Sequence, residues 1–152
     1  MKKFLKFVGI SVVVLVVVIS SLLYWAASET DELTAEVTPF IETSMPLVAT
    51  WDLDKFKHLL SPEGLAGFES ERGRKITAFI SQVGKLESFD KPIFVKSTST
   101  ASTSGEGRSI AIFTVQARFE NGDGVLTFTL VRTGSSYLIQ SINLSSDIFL
   151  EQ

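Results

Sequence analysis

Apolar positions fall in three different patterns along this 152-residue chain, and the changes of pattern divide it. From Phe7 to Ser28 almost every residue is apolar and none is charged: FVGISVVVLVVVISSLLYWAAS. About 21 such residues at ~1.5 Å rise reach roughly 30 Å, the thickness of a hydrocarbon core, which predicts a membrane-crossing helix. From Leu33 onward the apolar residues recur every three or four positions: Leu33, Val37, Phe40, Ile41, Leu47, Val48 and Trp51. That spacing predicts an amphipathic helix. Pro39 and Pro46 each remove an amide donor and crowd the preceding turn. The helix is therefore expected either to start at Pro39 with Thr38 as its cap or to bend near Pro46. Asp52 is placed to cap a short helix carrying Leu53, Phe56, Leu59 and Leu60, and Ser61-Pro62-Glu63 supplies cap, first-turn proline and first-turn acid for the next. A third helix carries Ile76, Phe79, Ile80 and Val83 as its stripe and stops at Gly84.

Beyond Gly84 the period is two. Ala111, Phe113, Val115, Ala117 and Phe119 alternate with Ile110, Ile112, Thr114, Gln116, Arg118 and Glu120. One strand with one buried face is predicted. Asn121-Gly122-Asp123-Gly124 is a turn signal, after which Leu126, Phe128 and Leu130 return to the same face. A second turn at Thr133-Gly134-Ser135-Ser136 leads to Tyr137–Leu144, where the alternation is too weak to assign a facing. The Ser/Thr run from Ser97 to Ser104 reads as strand and then loop, because Ile93-Phe94-Val95 enters it and Gly105-Glu106-Gly107 turns into the strongest strand of the chain. The expected class is α+β: an N-terminal transmembrane helix, then helices packed on a curved antiparallel sheet.

From about Val37 to Ser145 this order resembles the cystatin-like, nuclear-transport-factor-2-like superfamily, which includes small membrane-anchored bacterial proteins. The resemblance rests on a long first helix ending in Trp51-Asp52, a short helix closing in Leu59-Leu60-Ser61-Pro62-Glu63, a helix ending Val83-Gly84-Lys85-Leu86, the stretch Ala117-Arg118-Phe119-Glu120-Asn121-Gly122, and a final Tyr137-Leu138-Ile139. It implies a strongly curved sheet wrapped around helices, often with a pocket at the open end of the cone. Tyr137 stands where such domains often carry a Trp.

Charge orients the chain. Lys2, Lys3 and Lys6 precede the apolar run, and Glu29, Asp31, Glu32 and Glu36 follow it. The positive-inside rule then keeps the N-terminus in the cytoplasm and puts the rest outside the cell's inner membrane. Ala26-Ala27-Ser28 offers small residues to a signal peptidase. Against cleavage stand the length, the valine density and the interfacial pair Tyr24-Trp25. The division expected is a basic tail (1–6), a signal-anchor helix (7–28), an acidic juxtamembrane segment (29–36) and an extracytoplasmic domain (37–152). Of 14 basic and 17 acidic side chains, three lysines and no acid lie before residue 29, so the remainder holds 11 against 17, a formal charge of −6. Nucleic acid is an improbable partner for it, since Arg72, Arg74 and Lys75 are interleaved with Glu69 and Glu71. No cysteine is present, which excludes disulfides and thiolate metal sites.

No catalytic constellation emerges, and neither cofactor nor metal is implied. The single histidine, His58, lies among Asp54, Lys55 and Lys57, off the apolar stripe. Serines abound, but none lies in a Gly-x-Ser-x-Gly elbow. Superfamily enzymes resembling ketosteroid isomerases and dehydratases use a pocket Asp, His or Tyr, which directs attention to Asp90 and Tyr137. Two functional surfaces are candidates. One is a small-ligand pocket lined by Phe79, Phe113, Phe119 and Phe128 beside Asp90 and Tyr137; the same phenylalanines would equally fill a core. The other is the opposite side of the meander, where Ile110, Ile112, Thr114, Gln116, Thr127 and Thr129, with Val125 and Val131, form a β-branched face suited to a second copy of the chain or another envelope protein. The leading expectation is an anchored, non-catalytic interaction module. A pocket protein, including a degenerate isomerase- or dehydratase-like enzyme, is the alternative.

Overall fold

In the computed structural model, the residues described are 1–150 except 102, 104 and 106, and the side chains of residues 2 and 4–7 are also left out. The chain divides into two compact units, Met1–Ala35 and Glu36–Gln152. The first unit is helical from Lys2 onward and belongs to α1 (Lys2–Val48), among the described residues the one helix long and apolar enough to cross a membrane. Its valines, isoleucines and leucines from Val8 to Leu23, with Tyr24 and Trp25, are exposed. Three hydroxyls in this unit fold back on the helix: Ser21 donates to the Val17 carbonyl at 2.8 Å, Thr30 to that of Ala26 at 3.1 Å and Thr34 to that of Thr30 at 2.7 Å. Such back-bonding hides a polar group that has no other partner.

The helix start expected at Pro39 does not occur: α1 runs as one helix through both Pro39 and Pro46. The physical reason lies in where the freed carbonyls fall. Each proline deprives the carbonyl four residues earlier, those of Ala35 and Glu42, and both of these residues are exposed to water. On the next turns Thr43 donates to the Pro39 carbonyl at 2.8 Å and Ser44 to that of Phe40 at 2.6 Å. The opposite stripe, Val37, Ile41, Met45 and Val48, is fully buried. Burying an apolar stripe of that length outweighs two lost solvent-side hydrogen bonds. Past the helix end Trp51 adopts φ 56°, left-handed backbone that is unusual for a bulky residue. Its indole is buried and lies 6.5 Å from the Phe119 ring, which holds the turn in place.

The three short helices begin as their caps dictate. Asp52 accepts from the amide of Asp54 at 3.2 Å to open α2 (Leu53–Phe56), which tightens into a 3-10 turn over Lys57–Leu59. Ser61 accepts from Gly64 at 3.1 Å ahead of α3 (Pro62–Glu69), and Ser70 from Gly73 at 2.9 Å ahead of α4 (Glu71–Ile80). Only half of the expected α4 stripe is inward: Ile80 and Val83 are buried, whereas Ile76 and Phe79 are 48% and 43% exposed. Phe79 packs instead on Phe149, at 4.8 Å between ring centroids, from the 3-10 turn Asp147–Leu150.

The sheet is open, antiparallel and five-stranded: β1 (Leu86–Phe89), β2 (Ile93–Thr100), β3 (Arg108–Phe119), β4 (Gly122–Thr133) and β5 (Ser136–Ser145). Its order is β1-β3-β4-β5, with β2 also pairing to β3. The strand β1 is not evident in the sequence, being four residues long with only two of them shielded. Ser97–Thr100 belongs to β2 as expected, and Ser102 and Ser104 of the same run lie outside the described residues. The first hairpin turns at Glu120-Asn121, so Phe119 pairs with Gly122, and Asp123 and Gly124 join the strand. That register sets Ala111 against Leu130, Phe113 against Phe128 and Val115 against Leu126, all buried. These rows, with Tyr137, Ile139, the α1 stripe and Phe56, make the core of the second unit.

Strand β5 resolves the weak alternation of its sequence. Thr129 pairs with Ser141 and Leu130 with Ile139, so Gln140 is an extra residue, a β-bulge. Tyr137 and Ile139 are buried before it and Leu144 after it, the odd positions giving way to the even. One inserted residue has reversed the phase.

Candidate functional site

The face of β3 and β4 turned away from the core is built by cross-strand pairs: Ile110 with Val131, Ile112 with Thr129, Thr114 with Thr127, and Gln116 with Val125. On the flanks Ile93 continues the Thr114 row and Leu138 the Val131 row. Val131, held between Ile110 and Leu138, is buried, Gln116 is exposed, and the others of those four pairs are half-buried. Ile93 and Val95, on β2, are 58% and 51% exposed. The surface is thus β-branched, uncharged at its centre and stiff, since β-branched side chains lose little rotamer freedom on contact.

The six residues expected around a pocket separate into different environments. Phe113, Phe119 and Phe128 are buried in the core, and Phe113 meets Phe94 edge-on at 5.6 Å. Phe79 is on the rim against Phe149. Asp90 is exposed, and its amide donates to the Gln116 carbonyl at 2.9 Å across the kink between β1 and β2. It does line an open cleft of ≈ 270 Å³, with Ser88, Phe89, Gln116, Ala117, Arg118 and Asp123. Arg118 is engaged there by Asp123 at 3.0 Å. Tyr137 does not line that cleft. His58 is solvent-exposed.

Tyr137 belongs to a different cluster. Its hydroxyl donates to Oε2 of Glu36 at 3.1 Å, while Arg132 donates to Oε1 of the same carboxylate at 3.2 Å. The Arg132 guanidinium also stands over the tyrosine ring, 5.8 Å from its centroid, and Phe40 packs at 6.3 Å. Burial, and then the hydrogen bond to Glu36, hold the phenol above the usual tyrosine range. The cluster joins α1 to the β4–β5 hairpin; in chemistry it is a clasp, with every polar atom of the carboxylate and phenol committed. Glu36 carries no sign of this role in the sequence, where it reads as one more juxtamembrane acid.

Among the described residues two buried side-chain atoms have no hydrogen-bond partner, Nε1 of Trp51 and Oε1 of Gln140, the residue of the β5 bulge. The only trace of it in the sequence is the failed alternation of β5. Among the described residues no group of three or more His, Cys, Asp or Glu is placed to hold a metal ion.

Comparison with known proteins finds no matching family model, no similar curated protein and no similar solved structure.

Proposed function

We propose that this protein is a single-span, membrane-anchored interaction module whose α+β domain binds another protein of the same membrane through the outer face of β3 and β4. The paired surface Ile110–Val131, Ile112–Thr129, Thr114–Thr127 and Gln116–Val125 carries the reading. A sheet whose inner face already covers a filled core has no structural need of aliphatic residues on its other side. The anchor is supported by the exposed apolar stretch of α1, with Lys2, Lys3 and Lys6 before it and Glu29, Asp31 and Glu32 after it. In this reading the helix is retained in the cytoplasmic membrane with its N-terminus inside, and the domain works in the extracytoplasmic space. The helix-first order followed by a meander supports a cystatin-like cone, and no enzymatic activity is assigned to it.

The test is photo-crosslinking in intact cells from residues 114 and 127 of the full chain. A discrete adduct with a second copy or another membrane protein is expected. Absence of any adduct from both positions, or adducts arising equally from exposed control positions such as Glu42, overturns the reading.

A further inference from the structure

Resting on the reading of the outer face as a docking surface, we infer that its partner is a second copy of this chain. The two copies meet face to face about a two-fold axis that crosses the strands along the row Ile93–Thr114–Thr127–Asn143. Such an axis lies in the plane of the face and reverses each strand over its own copy. Residues of that row meet themselves, and the rows on either side exchange places, as an isologous contact requires.

Charge selects this axis. Lys96 pairs with Ile112, which puts its side chain on the outer face to one side of the Thr114 row. Asp90, whose amide bonds the Gln116 carbonyl, stands on the same rim equally far to the other side and lines the outer cleft with Gln116 and Arg118. Both side chains are exposed, and among the described residues neither makes an ion pair or a side-chain hydrogen bond, whereas Arg118 is held by Asp123 at 3.0 Å. The rotation carries Lys96 over Asp90 of the second copy and Asp90 over its Lys96, so charges left unanswered in one chain are answered by the other. An axis parallel to the strands would set Lys96 over the neutral Ser141 instead.

The uncharged rows fit the same rotation. Thr114, Thr127 and Asn143 each both donate and accept, so each can pair with its own copy, and no charge lies in the axis row to repel itself. Ile112 comes over Gln116 of the second copy, Thr129 over Val125 and Ser141 over Ser145. Strands about 4.8 Å apart with a rise of ~3.3 Å per residue give the face roughly 550 Å² between Ile110 and Arg118, less than the ~800 Å² per partner of a standard interface. The dimer is therefore weak in dilute solution and forms where copies are concentrated in one membrane.

The chain has no cysteine, so a single introduced one reports on this contact alone. In membranes holding the full chain, Thr127→Cys should be joined to a second copy by a bismaleimide spanning about 10 Å, the usual separation of stacked sheets, and Glu42→Cys should not. Added to Thr127→Cys, either Lys96→Asp or Asp90→Lys sets like charges together and should cut the joined fraction about tenfold, and the two reversals combined should restore it. Both positions are exposed, so Tm should stay unchanged in every variant. Equal joining from Glu42→Cys, indifference to either reversal, or failure of the folded double reversal to recover what the single ones lose overturns the inference. If residues 114 and 127 capture only a different protein, the docking reading stands and the second copy falls; capture of nothing removes both.

Discussion

Tyr137 hydrogen-bonds Glu36 at 3.1 Å across 101 residues of sequence, fastening the second unit's first turn of helix to its last hairpin. Removing the hydroxyl in Tyr137→Phe deletes one hydrogen bond while keeping the ring on Phe40, for an expected loss of about 1 kcal/mol. Glu36→Ala should cost more, because it strands a buried phenol and releases Arg132 together. Thermal unfolding of the full chain in detergent measures both.

The same pair predicts alkaline behaviour. Tyr137 titrates above the usual tyrosine range because its neutral form is favoured by burial and by Glu36. A group raised in the folded state contributes stability that is complete below its unfolded value, about pH 10, and is lost as pH rises through the folded value. Wild-type Tm should therefore fall above about pH 10, and in Tyr137→Phe that part of the fall should vanish. An identical alkaline limb in the two proteins contradicts the clasp.

Core and rim phenylalanines should separate cleanly. Phe113→Ala and Phe128→Ala each empty a fully buried position and should cost about 3–5 kcal/mol. Phe79→Ala, which gives up one ring contact with Phe149 at a half-open position, should cost about 1 kcal/mol. Denaturant midpoints at constant slope decide the matter.

Thr114→Arg with Thr127→Arg places two cations side by side on the outer face, since these residues are directly paired. The fold should tolerate them, as both side chains can extend into water. The complex captured by crosslinking should be lost, and an unchanged adduct pattern argues that the partner sits elsewhere.

If α1 is retained as an anchor, alkaline carbonate should leave the full chain in the membrane fraction, and protease added to the outside should degrade the α+β domain but not residues 1–6. A mature chain beginning at Glu29 would show instead that the helix is removed.

What the sequence disclosed was whatever depended on period and caps. The alternation of Ala111 to Phe119, the Asp52 and Ser61 caps and the residues of the outer face were readable, because each is fixed by neighbours within a few positions, whereas the pairing register was not. Continuity through Pro39 and Pro46 was not, since it depends on which side of the helix faces water once the sheet is in place. Phe79 was misplaced for a similar reason: helical spacing put it on the inward stripe, and the 3-10 turn carrying Phe149 offered another partner. The bulge at Gln140 escaped detection because one added residue erases the period that would reveal it. The outer face followed from local alternation, whereas the cleft that Gly67 and Gln140 line requires two helices and a strand to be brought together before it exists.

One rim of the sheet is made of two unequal pieces, β1 and β2, that share β3 and are parted by Asp90-Lys91-Pro92. The longer piece is itself irregular, with Val95 skipped between Phe94 and Lys96 in its register. A proline kink, a bulge and two lysines deny an approaching strand the straight, unbroken ladder that fibril growth demands. This rim therefore offers a neighbouring strand little to zip onto, which guards that edge against amyloid growth.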